Sequence, residues 1–173
     1  AVVLDRRDVA SGSTAASTAL IQYEPDQPLH RLTGMIGAAA ARQVYSVCHD
    51  ALEDLRALCR RVRGDFEFET AESMLLASRA RDVAGLRREY ELRRDLRHDV
   101  ELLTARDLRA RSSLRHAGAL LTRKAAHLDS YAFTHALLEA GRRNGLRVFD
   151  RTAVTSFGRG KRRQFELRTD RGV

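Results

Sequence analysis

Two short apolar runs, far apart in the chain, set the fold class. Ala1 to Leu4 is a β-type run that ends in an acid, Asp5. Leu146-Arg147-Val148-Phe149 is the second, and it comes directly after a helix whose ends are written in the sequence. Asp129 is placed to cap that helix, and Phe133, Leu137, Ala140 and Gly141 form one face. Arg142 and Arg143 fall in the last turn, where the helix dipole favours cations, and Gly145 takes the position just past the end. A helix feeding directly into a strand is one arm of a right-handed crossover. Parallel strands need such a long connection, so the two runs are predicted to pair in parallel and the chain to be α/β, or α+β overall.

The residues after Asp5 narrow the fold further. Arg6 and Arg7 lead to a run of small, mostly hydroxylated residues, Gly12-Ser13-Thr14-Ala15-Ala16-Ser17-Thr18. An acid at a strand tip with such a run behind it is how the second strand of a dinucleotide-binding fold looks, with a glycine-rich turn expected roughly 20 residues before the acid. No such turn precedes Asp5 here, so it is expected upstream of Ala1. Two plainer readings stay open: a surface turn acid, and a Ser/Thr-rich helix cap.

Composition removes several function classes. With 173 residues, 43% of them hydrophobic, the chain is long enough for one sizeable core or for a domain plus an excursion. No segment approaches the roughly 20 apolar residues of a membrane span, and a cytoplasmic location is the default expectation. The net charge of +8 points toward acidic partners, but only Lys124 and Lys161 are lysines, and the arginines alternate with acids. Arg87-Arg88-Glu89-Tyr90-Glu91-Leu92-Arg93-Arg94-Asp95 reads as a solvated helix face with i,i+4 pairing. Few, scattered aromatics argue further against nucleic acid as a partner. Cys48 and Cys59 lie eleven apart, on one side of a helix but about three turns distant, so two reduced thiols are expected. The six histidines form no metal-ligand pattern, and no Ser, Cys or Thr is spaced with a His as a nucleophile, so no catalytic residue is named.

The middle of the chain reads as a module of its own. Leu32, Ile36, Ala40, Val44, Val47, Ala51, Leu55, Leu58 and Val62 recur at helical spacing, predicting one long helix from His30 to Val62, entered after Pro25 and Pro28 and ended by Gly64. Its small-residue stretch, Gly34 to Ala41, suits close packing of a neighbouring helix, or the approach of a flat ligand. Phe66 to Thr70 and Ser73 to Ser78 predict a hairpin or bent strand pair. A charged helix comes next over Arg79 to Leu96, with Val83, Leu86, Tyr90 and Leu96 inward, then a helical turn capped by Thr104. Thr152 to Phe157 and Gln164 to Thr169 predict a hairpin joined by the basic loop Gly158-Arg159-Gly160-Lys161-Arg162-Arg163.

Taken together, VVLDRRDVASGSTAAS, HLDSYAFTHALLEAGRRNGLRVFDRTAV and LRTDRGV resemble the FAD-dependent oxidoreductases of the glycine oxidase and D-amino-acid oxidase family. The likeness covers nearly the whole chain, with LASRARDVAGLRREYELRR and LLTARDLRAR resembling the family's inserted segment. It implies an internal piece of a longer flavoenzyme: a partial FAD-binding, Rossmann-like domain of parallel strands plus a β-hairpin, interrupted by a largely helical substrate-domain insert. The FAD-binding domain would then comprise 1–30 (second strand and flavin loop), 31–62 (long helix) and 121–173 (helix, strand and hairpin), with 63–120 as the insert.

The resemblance also implies roles. Asp5, with Arg6 beside it, would hold the adenosine ribose hydroxyls. Gly12, Ser13, Thr14, Ser17 and Thr18 would offer N–H groups and hydroxyls to phosphate and ribitol oxygens. Val154 would meet the adenine edge through its backbone, its side chain being ordinary core. Two departures stand out. Ala15 and Ala19 occupy positions that are basic in the sarcosine oxidase branch, which argues against sarcosine-like chemistry. Ser130 replaces the proline of the family's usual Asp-Pro helix start, a change expected to cost a little rigidity and no chemistry. The implied function is oxidation of a C–N bond of an amino acid or secondary amine by hydride transfer to FAD. The alternative from the residues alone is a helical binding module contacting acidic partners through the Lys161-Arg162-Arg163 loop. The 173 residues alone are expected to be inactive, to bind FAD weakly or not at all, and to self-associate through the open edge of the first strand.

Overall fold

The computed structural model describes residues 1–159 and 165–172, and the chain divides into two compact units. The Lys161-Arg162-Arg163 loop lies outside the described residues.

The first unit comprises Ala1–Ala19, Arg60–Glu67 and Leu128–Val173. Strand β1 (Val2–Leu4) pairs in parallel with β6 (Arg147–Phe149), Val3 facing Val148, as the two apolar runs predict. Helix α5 (Ser130–Arg143) supplies the crossover arm, and Asp129 caps it by accepting a hydrogen bond from the Ala132 N–H at 2.9 Å. Gly145 ends it with φ +83°, a conformation that a side chain would strain. At Gly141 a Cβ would come within 2.6 Å of Leu146 Cδ2, so the small residue lets the first residue after the turn fold back on the helix. Phe66 packs edge-on to Phe133 at 5.0 Å between ring centres. Strands β7 (Val154–Arg159) and β8 (Phe165–Thr169) form the expected antiparallel hairpin.

The second unit comprises Leu20–Cys59 and Phe68–His127. Its centre is β5 (Gly118–His127), which carries β3 (Glu69–Ala77) along one edge and β4 (Val100–Thr104) and β2 (Leu20–Gln22) in turn along the other, all antiparallel. The middle segment is thus built on a sheet as well as on helices. Burial of β5 on both faces explains why its sequence shows no alternation. Leu103, Leu108, Ala119 and Leu121 form one cluster, and Ala77, Leu86 and Leu120 another.

Three local expectations change. The predicted helix over His30 to Val62 is two helices, α1 (Leu29–Ile36) and α2 (Ala38–Arg61), because Gly37 adopts φ +85° and breaks the run. The small stretch around it is exposed up to Ala40, so it packs no neighbouring helix. Instead of a hairpin, Phe66 to Ser78 yields the single strand β3, bulged between Ala71 and Ser73. The charged helix forms as α3 (Val83–Asp95) after a 3-10 turn, Ala80–Asp82, and Thr104 caps α4 (Ala105–Arg111) in a reciprocal box with Asp107.

Candidate cofactor site

At the tip of β1 the backbone fixes Asp5 on several sides. Its N–H donates to the Phe149 carbonyl at 3.0 Å, extending the parallel ladder, and its carbonyl accepts from the Thr152 N–H at 2.7 Å. The carboxylate is half-buried; Oδ1 accepts the Arg7 N–H at 2.8 Å, and Oδ2 has no donor among the described residues. The Arg7 carbonyl accepts from the Arg151 N–H at 3.1 Å, and Arg151 Nε donates to Asp8 Oδ1 at 2.8 Å. The strand tip and the Asp150–Thr152 connection are therefore tied together, with Val154 two residues further on.

From Asp8 to Ala19 the chain runs through successive turns, not the helix cap that the Ser/Thr content also allowed. Ser11, Ala16 and Ser17 donate to carbonyls three residues back, and Ser17 Oγ accepts the Ala19 N–H at 3.1 Å. The N–H groups of Gly12, Ser13 and Thr14, and the hydroxyls of Ser13, Thr14 and Thr18, have no partner among the described residues. A Cβ on Gly12 would come within 2.6 Å of Arg7 Nη2, so the glycine lets a guanidinium lie against the loop. Free N–H groups, free hydroxyls and a cation form a donor set suited to phosphate oxygens, while an unfilled carboxylate oxygen suits a sugar hydroxyl.

Asp5, Gly12 and Thr14 are partly buried, whereas Arg6, Ser13, Ser17 and Thr18 are exposed. Val154 opens β7 with its side chain 47% exposed, which corrects the expectation of a core side chain. Ser130 also departs from expectation. Its hydroxyl donates to the Thr14 carbonyl at 2.7 Å, so the residue that replaces proline anchors the loop.

The second unit holds an ionic cluster where a solvated face was expected. Arg93 is 2% exposed and Glu89 is fully buried, because both share the helical stripe of Leu86 that faces the sheet. Arg93 Nε donates to Glu89 Oε1 and Nη1 to Glu24 Oε1, each at 2.7 Å. Glu89 also accepts the N–H groups of Leu29 and His30 at the start of α1, at 2.9 Å each, and the Tyr45 hydroxyl at 3.3 Å. Burial alone would raise the Glu89 carboxyl, but those N–H donors and the guanidinium hold it below its ordinary value. Burial pushes the Tyr23 hydroxyl up to about 12. His98, stacked on His49 at 4.3 Å, is pushed down to about 4, chiefly by burial and then by the adjacent cations.

A family model described as DAO, FAD dependent oxidoreductase, matches residues 1–173. The chain belongs to this family. FAD is the family's cofactor, and the donor set around Asp5 fits it. Among solved structures, glycine oxidase from Geobacillus kaustophilus aligns with a TM-score of 0.69 at 18% identity, covering 99% of this chain and 45% of that one. L-proline dehydrogenase from P. horikoshii gives 0.75 at 16%, covering 99% and 42%. L-alpha-glycerophosphate oxidase from Mycoplasma pneumoniae, with FAD bound, gives 0.70 at 14%, covering 98% and 43%. At these identities the likeness is one of fold, and the chain spans less than half the length of each. No curated protein matches the sequence.

Proposed function

We propose that the protein oxidises a C–N bond of an amino acid or secondary amine, and that Asp5, Arg6, Gly12, Ser13, Thr14, Ser17, Thr18 and Val154 hold its FAD. The observation that carries this reading is Asp5 at the tip of a parallel strand pair, beside a loop of unpaired N–H groups and hydroxyls. When bound, FAD supplies the acceptor for the hydride that leaves the carbon next to nitrogen. This chain's residues supply binding and orientation. The free Asp5 Oδ2 accepts from a ribose hydroxyl, the Gly12–Thr14 N–H groups meet phosphate oxygens, and Val154 offers its backbone to the adenine edge. Residues 63–120 serve as the substrate-domain segment. The names of two neighbours, glycine oxidase and L-proline dehydrogenase, support an amino-acid or amine substrate.

The test is spectroscopic. The full-length protein should purify yellow, and its flavin band should bleach when an amino acid or secondary amine is added without oxygen. Asp5→Ala should lower FAD affinity about ten-fold or more, as loss of a charge-assisted bond does. A colourless protein that takes up no added FAD would refute the proposal.

A further inference from the structure

Around Tyr23 the second unit holds a group of titratable rings that the proposed reaction does not use. His98, in the turn between α3 and β4, is 6% exposed. Its imidazole stacks on that of His49 from α2, with ring centres 4.3 Å apart and planes within 3° of parallel. Tyr23, just past β2, meets both rings edge-on, at 5.3 Å from His49 and 4.8 Å from His98. Lys124 of β5 places Nζ 3.2 Å from both nitrogens of His49, which puts the ammonium over the ring face and off either lone pair. A cation over an aromatic face attracts it while the ring is neutral. Nδ1 of His98 is buried and has no partner among the described residues.

We propose that this stack is an acid-sensitive latch: with both rings neutral it holds α2 to the α3–β4 turn, and a proton on His98 releases them. An imidazolium donates from both nitrogens, and the closed stack offers Nδ1 no acceptor among the described residues. The surrounding charges add to the cost. Arg93 from α3, Lys124 from β5 and His49 from α2 oppose a proton on His98, while Asp50 from α2 favours it. The Asp50 side chain is 80% exposed, so solvent screens that attraction. The other acids close by are engaged, Glu53 with Lys124 at 3.2 Å and Glu24 with Arg93 at 2.7 Å, and Tyr23, its hydroxyl pushed up to about 12, adds no charge. Once opened, His98 meets water and takes its proton as an ordinary imidazole; closed, burial holds the ring down to about 4. The closed form is therefore favoured at neutral pH and loses ground as pH falls from 6.5 toward about 4. Release uncovers Tyr23, whose ring lies under the Arg93 guanidinium at 5.7 Å, so acid lets water reach the ionic cluster.

The experiment is amide hydrogen exchange of the full-length protein at pH 7 and pH 5, read by mass spectrometry with labelling times scaled for the intrinsic rates. Protection over residues 45–53 and 96–100 should drop about ten-fold or more between the two, the scale set by a ring that takes its proton near 6.5 when open and near 4 when closed. At pH 5 those segments should be less protected than residues 119–121 of β5, because a latch opens locally and leaves the sheet intact. His98→Phe keeps a ring in the stack and cannot take a proton, so it should remove most of the drop. If that variant does not fold, His98→Gln, which is polar and does not titrate, is read in the same way. Equal protection at the two pH values overturns the latch. So does protection at pH 5 that is uniform across the unit, which means unfolding as a whole, or a His98 variant that keeps the full drop.

Discussion

Replacing Arg93 by methionine isolates the energetics of the second unit, because the change keeps much of the side chain's volume and removes its charge and donors. Glu89 would keep the Leu29 and His30 N–H groups but lose the 2.7 Å bond from Nε, and Glu24 would lose its bond from Nη1. Both partners of the Arg93–Glu89 pair are at most 2% exposed, so solvent offers little screening. Leaving a buried charge unpaired costs about 3–5 kcal/mol. Urea denaturation of the full-length protein, monitored by circular dichroism, should show that loss with an unchanged slope. The triple change Arg93→Met, Glu89→Gln, Glu24→Gln should recover much of it, since replacing a whole buried ionic group is often neutral.

The depressed Glu89 carboxyl sets the pH dependence. A carboxyl held low in the folded state contributes stability above its unfolded value, and that contribution is lost as pH falls through the folded value. In Arg93→Met the carboxyl loses its cation and protonates more readily, so the penalty should shrink on going from pH 8 to pH 5. A loss below about 1 kcal/mol, the scale of an exposed pair, or one that grows toward acid, would refute the argument.

Other outcomes are expected. Ser130→Ala should weaken FAD binding by a few-fold, on the order of one net hydrogen bond, in a fluorescence titration, while Ser130→Thr retains affinity; equal affinity in Ser130→Ala would show that the Thr14 anchor is idle. Burial holds the His98 ring down to about 4 from 6.5, so the unfolded chain takes up its proton first and stability should fall as pH drops across that interval. His98→Phe should flatten this part of the stability profile, and an unchanged profile would place the titration elsewhere. Thr104→Ala removes the cap of α4 and should cost about 1 kcal/mol in chemical denaturation; no loss would show that Asp107 holds the turn unaided.

The features legible in the sequence are those that local rules govern. The parallel pairing of Val2–Leu4 with Arg147–Phe149, the Asp129 and Thr104 caps and the Gly145 stop each depend on residues within one turn or on strand-like runs with clear ends. Gly37 is visible too, but helical periodicity runs across it unbroken, and only its positive φ shows that the helix breaks there. The ionic cluster is hidden for a different reason. Glu89 and Arg93 form the i,i+4 pair of a solvated helix, and their burial is set by Glu24, Thr122 and the α1 N-terminus, partners that lie between 29 and 69 residues away in sequence. Their one local signal is that both share the stripe of Leu86. An acid and a base on the apolar stripe of an otherwise charged helix have a stronger claim to function than those on its outer face, because their burial must be balanced by partners or by a ligand. By that reasoning Glu89 and Arg93, absent from any motif, have a stronger claim to a role in this unit than the many exposed arginines that give the chain its positive charge.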